Sequence, residues 1–405
     1  MKSLLLAWHN VMRNRRRSLV TILIATLGTA SILVAGGFAL YTYESLREGS
    51  AREVGHVTIA HKDYFEKDEE TPLQLGLEGY GGLVRTLEQD PRVRRVLPRV
   101  SLSGLVSNGD KSMIFMGIGA DLAAEAAVRG PFLKLVDGSL VDGDRDNGLP
   151  RVLLGVDLAR SLNARPGSTL TLLSTTTSGS MNAIDAEVAG IISTGWREVD
   201  KRLVYTGLRT AQRLLATDRA STLAVFLHDT SLTPEMQQAL AARDPSHVYK
   251  PWWELSNYYV SVRDLYNRIF GLLGVIISAL VFFSVANTLT MAVVERTREI
   301  GTLRALGALP REIVAEFMHE GTLIGGIGAA LGILGAGGMT LALLFLDIRM
   351  PPPPGRSDDY PLQIYADPVL YIATVLSIIL LCALAAWIAS RRAASKPIVE
   401  ALGHV

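Results

Sequence analysis

Residues 295–332 read ERTREIGTLRALGALPREIVAEFMHEGTLIGGIGAALG. The stretch begins where one apolar run stops and ends inside the next, with a charged segment of about 25 residues between. Within it Ile300, Leu303, Leu306 and Leu309 recur every third residue, which is helical spacing with a narrow apolar stripe. Arg296, Arg298 and Glu299 precede them and Arg304 falls between them. Gly307 is expected to loosen the helix. Pro310 can start a new one, and it biases Leu309 out of the helical region. The reading is a short amphipathic helix, a break, and a second helix that runs into a membrane.

Working outward, the segments on either side are long enough to span a bilayer. Residues 269–294 carry no charge, and Asn287 is their most polar side chain. An amide in hydrocarbon is expected to face another helix. Residues 322–346 are rich in glycine. Gly321 with Gly325, and Gly328 with Gly332, form small-xxx-small pairs that let helix backbones approach. Two further runs, 18–43 and 368–389, complete four expected spans. At about 25 residues the first run exceeds the apolar region of a signal peptide, so it reads as an uncleaved anchor. Ahead of it, residues 1–17 hold Lys2, Arg13, Arg15, Arg16 and Arg17 and no acid. Leu4, Leu5, Trp8, Val11 and Met12 give this arm an apolar face suited to the membrane surface.

Residues 44–268 contain no run that could span. Short β-rich segments at 54–60, 93–106, 112–118, 151–155, 168–173, 186–192 and 222–228 alternate with turn signals such as Asn108-Gly109-Asp110. Helices are expected near 45–53, 80–90, 154–163, 208–216 and 233–243. The region reads as an α+β domain whose middle, about 100–205, is strand-rich. The run STTTSGS at 174–180 reads as a loop or hairpin tip. Trp252 and Trp253 suit either a membrane-interface belt or the domain interior. From Glu254 onward the sequence reads as one helix without a breaker. Residues 347–367 form a connector stiffened by four prolines, 351–354.

Charge orients the chain. The N-terminal arm has five Lys/Arg, residues 295–320 have four, and the tail 390–405 has three. The connector has two arginines against four aspartates. Positive charge therefore marks both termini and the 295–321 stretch as cytoplasmic, leaving 44–268 on the other side.

Composition excludes several functions. The chain of 405 residues is 49% apolar with a net charge of +1, and shows no basic stripe for nucleic acid. Its one cysteine, Cys382, has no partner for an intramolecular disulfide. His56, His61, His228 and His247 lack ligand spacing, so no metal site is expected. No phosphate-binding Gly-x-x-x-x-Gly-Lys-Ser/Thr loop exists. The spans hold almost no ionisable residue, which argues against proton-coupled transport. The chain is not expected to be an enzyme, and its energy source is expected in another polypeptide.

The pattern ERxxEIGxLRALGA from Glu295 to Ala308, with the following glycine-rich helix, resembles permease subunits of the FtsX/MacB/LolCDE group of ABC transporters. The "G-x-x-LA" stretch at 155–159 and the ending Pro397-Ile398-Val399-Glu400-Ala401-Leu402 are similar to that group as well. The resemblance implies four transmembrane helices with a MacB-like periplasmic core domain between the first two, in a bacterial inner membrane. It implies that 295–321 is the coupling helix region, docking on an ATPase through Ile300, Leu303, Leu306 and Leu309, flanked by Arg298, Glu299 and Arg304. ATP and magnesium would bind that separate ATPase subunit, because this chain begins at the membrane, and none of the cofactor would bind this chain. A second permease copy, membrane lipids and a periplasmic or outer-membrane protein are the other partners implied. Lipoprotein release is the expected task. Alternatives are efflux of peptides or small molecules, as in MacB relatives, and signalling to a cell-wall hydrolase, as in FtsX relatives.

Overall fold

The computed structural model describes residues 12, 15–67, 72–140, 144, 148–346, 348–351, 359–395 and 397. Most of the N-terminal arm, most of the four-proline run and the tail motif at 398–402 lie outside the described residues. The helices in chain order are α1 (Arg15–Val54), α2 (Gly81–Leu87), α3 (Leu122–Arg129), α4 (Val156–Ser161), α5 (Arg197–Asp200) and α6 (Leu208–Leu215). They continue with α7 (Thr233–Arg243), α8 (Trp252–Leu255), α9 (Asn257–Glu295), α10 (Thr297–Ala305), α11 (Pro310–Leu346) and α12 (Pro368–Ala394). The strands are β1 (Val57–His61), β2 (Val93–Ser107), β3 (Ser112–Ala120), β4 (Lys134–Gly138), β5 (Arg151–Gly155), β6 (Thr169–Thr175), β7 (Met181–Ser193), β8 (Leu203–Gly207), β9 (Thr222–Leu227) and β10 (His247–Pro251). These residues divide into two units. One comprises the described parts of 1–44, 262–349 and 361–405; the other comprises those of 45–261 and 350–360.

The helical unit holds most of the four helices long and apolar enough to cross a membrane, at 15–54, 258–295, 310–346 and 368–391. Its centre is made of small and medium side chains: Ala25, Val285, Ile324, Ala329, Ile378, Cys382, Ala385 and Ala386 are all buried together. Its outside is apolar too. Leu272, Phe283, Leu334, Phe345 and Leu380 are exposed, which is costly in water and natural against lipid. A helix of 40 residues such as α1 is about 60 Å long, roughly twice the hydrocarbon thickness of a bilayer.

In the other unit β2 is 15 residues long and serves two sheets. Its first half pairs with β9, which continues through β1 to β10, all antiparallel. Its second half pairs with both β3 and β6. The path β2–β3–β8–β5–β7–β6 then returns to β2, so these six strands close a ring. Closure removes sheet edges and gives the ring an inside. Val106, Phe115, Leu154, Leu170, Leu172 and Val188 fill its core. The open sheet has its own core of Val57, Ile59, Val96, Leu223, Val225 and Tyr249, covered by Leu87 of α2 and by Met236 and Leu240 of α7. The 174–180 run is the tip of the β6–β7 hairpin, closed by Thr176 N–H donating to Ser180 O at 2.7 Å.

One sequence expectation needs correction here. The helix expected from Glu254 onward is broken: α8 is a four-residue turn, and Ser256 leaves helical geometry at φ −103°, ψ 78°. The Ser256 hydroxyl accepts from Tyr259 N–H at 3.3 Å and so caps α9. A serine can cap a helix as readily as sit within it, and apolar spacing does not distinguish the two. Trp252 belongs to the interior of this unit, buried and edge-on to Tyr259 with ring centres 4.6 Å apart.

Candidate coupling helix and helix-packing face

α9 ends at Glu295, and Arg296 breaks the helix with φ −97°, ψ 10°. Thr297 Oγ1 donates to Val294 O at 2.7 Å, binding the new helix to the end of the old one. α10 stops after nine residues for a local reason. Gly307 has φ +99°; its N–H donates to Arg304 O at 3.1 Å, and Ala308 N–H donates to Leu303 O at 3.0 Å. Those two bonds form a Schellman motif, which needs a left-handed residue at its second position. Gly307 therefore ends the helix, where the sequence reading expected it only to loosen it. α11 then starts at Pro310, whose lacking N–H costs nothing in a first turn, and Glu312 Oε2 accepts from Leu309 N–H at 2.9 Å.

The expected contact stripe is split by this geometry. Leu303 and Leu309 are each 43% exposed and Leu306 is 81% exposed. Arg298 and Glu299 are exposed beside them, and Arg304 is half-buried. Ile300 is not on that face. It is buried among Val293, Ile313, Phe317 and Ala394, and anchors α10 to the helical unit. The spacing of three put Ile300 in the same stripe, but three residues advance a helix by 300° and not a full turn, so the stripe drifts out of the core. Arg296 reinforces the anchor: its guanidinium lies 3.5 Å from Glu320, donates to Glu299 at 3.0 Å, and stacks over Phe317 at 5.2 Å.

The four singled-out glycines of α11 serve two neighbours. A Cβ at Gly321 would lie 2.7 Å from Ala386 Cβ and from the Cys382 carbonyl oxygen, and one at Gly325 would lie 3.0 Å from Cys382 Cβ. These two face α12. A Cβ at Gly328 would lie 2.5 Å from Ala25 Cβ, and one at Gly332 would lie 2.5 Å from Thr29 Cβ. These two face α1. Asn287 departs from its expected place. The buried seam of α9 runs through Val281, Val285 and Leu289, and Asn287 stands two residues from the last two, on the exposed opposite side.

Sequence reasoning missed one feature of this region. Arg17 Nη1 donates to Glu295 Oε2 at 2.7 Å and Nη2 to Oε1 at 2.6 Å, a two-pronged pair between residues 278 apart. An exposed pair of this kind is screened by solvent, so it orients the two helix ends more than it stabilises them. Nothing local marks such a pair in the sequence. Among the described residues no group of three or more His, Cys, Asp or Glu could hold a metal ion.

The family description "MacB-like periplasmic core domain" matches residues 18–243, and "FtsX-like permease C-terminal" matches residues 271–398. The lipoprotein-releasing system transmembrane protein LolC of Xylella fastidiosa is 28% identical over 323 residues, covering 78% of this chain and 72% of that protein. LolE of Haemophilus influenzae is 23% identical over 333 residues, 80% of this chain and 78% of its own length. The pyoverdine export ATP-binding/permease protein PvdT of Pseudomonas entomophila is 25% identical over 367 residues, which is 85% of this chain but 53% of PvdT.

Proposed function

Because the chain belongs to the MacB-like periplasmic core domain family and ends in an FtsX-like permease region, we propose that it is an ABC transporter permease subunit for lipoprotein release. Its task is to pass ATP-driven motion from a separate ATPase subunit to its α+β unit on the far side of a bacterial inner membrane. The observation that carries this reading is α10. A nine-residue helix, held by Ile300 and stopped by Gly307, presents Leu303 to solvent, with Leu306 at its C-cap and Leu309 following. Three exposed leucines beside charged side chains suit a protein partner, since burying each is worth about 1.5–3 kcal/mol.

In this reading Leu303, Leu306 and Leu309 enter the ATPase surface, with Arg298, Glu299 and Arg304 setting orientation. The ATPase holds ATP and magnesium, and this chain contributes no nucleotide-binding residue. Two permease copies, identical or paired with a related chain, stand over two ATPase subunits, with both termini and α10 in the cytoplasm. Lipoprotein is favoured as cargo because relatives named for lipoprotein release align along most of both chains.

The test is reconstitution of the chain and its co-purified ATPase into proteoliposomes loaded with a triacylated lipoprotein. ATP-dependent release of lipoprotein into the aqueous phase is expected. ATP turnover with no release would remove the cargo assignment. The similarity to PvdT supports a second reading, export of a small molecule, which the same vesicles would report as ATP-driven movement of a siderophore without lipoprotein release.

A further inference from the structure

The C-terminal turn of α1 is gripped by a buried set of charges. Arg99 of β2 and Glu125 and Arg129 of α3 are all buried. Arg99 Nε donates to Glu125 Oε1 at 2.5 Å and its Nη2 to Oε2 at 2.8 Å. Arg129 Nε lies 3.4 Å from the same carboxylate. Each arginine then directs another donor to one acceptor, the backbone carbonyl of Glu53: Arg99 Nη1 at 2.8 Å and Arg129 Nη2 at 3.1 Å. Glu53 is the penultimate residue of α1. The last carbonyls of a helix lack partners within it and carry its negative dipole end. Two guanidinium groups on one such carbonyl supply what the helix end lacks, and Glu125 keeps both guanidinium groups in place. Burial alone would push the Glu125 carboxyl up, but Arg99 and Arg129 outweigh it and hold the group below its ordinary range, so it stays charged.

Stability does not require this arrangement, because a buried charge triad is seldom better than apolar side chains of equal volume. What charges add is direction: a fork on a carbonyl fixes both distance and angle. The surrounding contacts serve the same end. A Cβ at Gly49 would lie 3.1 Å from Phe132 Cε1, so the missing side chain lets that ring lie against α1. Ser50 Oγ accepts from Ser256 Oγ at 3.1 Å, and Trp196 meets Tyr258 edge-on at 4.1 Å. The last turns of α1 and the first turn of α9 thus share one socket in the α+β unit.

We propose that Arg99, Glu125 and Arg129 are positioning residues that lock the end of α1 to β2 and α3, so that movement of this helix is delivered to the sheet and not lost at its end. The proposal rests on the transmitting role above and adds where transmission enters the α+β unit.

The test uses the full chain with its ATPase in nanodiscs, carrying spin labels at Arg47→Cys on α1 and Gln238→Cys on α7; native Cys382 is buried and stays unlabelled. The unsubstituted joint should give one narrow distance distribution, the same without nucleotide and with ATP trapped. Glu125→Gln should broaden or split it, with ATP turnover unchanged and lipoprotein release lost. Arg129→Lys, which keeps the charge and loses the fork, should do the same and carries the test if Glu125→Gln fails to fold. An unaltered distribution in both variants would overturn the proposal, as would turnover and release falling in equal proportion. A parent protein that releases no lipoprotein would count against the cargo reading alone, leaving the distances to decide the joint.

Discussion

His56 sits at the start of the α+β unit with its ring closed in. Leu227 N–H donates to Nδ1 at 3.2 Å, so the proton is on Nε2, 3.0 Å from Thr230 Oγ1. Thr230 in turn donates to Glu48. Burial, opposed by Glu48 and aided by Arg52 and Arg47, lowers the imidazole from 6.5 to about 4. The unfolded chain therefore takes up a proton between those values that the folded one refuses. Stability contributed by neutral His56 is complete above the unfolded value and is lost as pH falls towards 4, up to about 3 kcal/mol. Denaturant unfolding followed by tryptophan fluorescence should show a lower midpoint at pH 4.5 than at pH 7. His56→Gln should shrink that difference, and an unchanged difference would remove His56 as its source. From the sequence alone His56 was one of several scattered histidines, because its partners lie 171 and 174 residues away.

At the scale of elements, α10 and α11 give opposite kinds of evidence. Leu306→Asp or Leu303→Asp changes an exposed side chain, so the helical unit should assemble normally while ATPase co-purification falls about tenfold or more. Ile300→Ala should do the reverse, lowering thermal stability by about 2–4 kcal/mol through a cavity beside Phe317 while the exposed leucines remain. Equal ATPase capture by the leucine variants would end the docking assignment. On α11, Gly332→Leu must displace Thr29 or the Thr26 carbonyl, whereas Gly338 has nothing within 4 Å. Size-exclusion profiles after heating should show Gly332→Leu aggregating early and Gly338→Leu behaving as the parent; identical profiles would mean that α1 and α11 do not pack through Gly332. Glycine spacing showed these contacts in the sequence, since a backbone contact in lipid leaves a small-residue signature. It did not show which helix each glycine meets. Strands with alternating burial, such as β6 and β7, were equally legible. β4, exposed throughout, and β8, buried throughout, carry no alternation and passed unseen. Ring closure was invisible for a further reason: the β3–β8 and β2–β6 pairings join distant segments, and the sequence carries no local sign of a partner.

For the whole molecule, the order of apolar and polar segments carries most of the argument. Four candidate spans, with a long α+β segment after the first, would put both ends of the chain on one side. Lys and Arg of the arm, the 295–320 stretch and the tail outnumber those of the 347–367 connector, and in the proposed reading that side is the cytoplasm. In the proposed orientation the β6–β7 hairpin and α10 lie on opposite sides of the membrane, and the hairpin's side is not chosen by its own charge. Ser178 is exposed at that hairpin tip, beyond the last paired residues Thr175 and Met181, so an inserted reporter there leaves the ring intact. A phosphatase fused at Ser178, active only outside the cytoplasm, should be active in cells, and a fluorescent protein that matures only in the cytoplasm should stay dark. A cysteine at Ala305→Cys, exposed at the end of α10, should show the opposite accessibility, reacting with an impermeant maleimide only after the cells are opened. A bright cytoplasmic reporter at Ser178 together with a labelled Ala305→Cys in intact cells would invert the protein. α10 would then face away from every cytoplasmic ATPase, and its exposed leucines would need another partner.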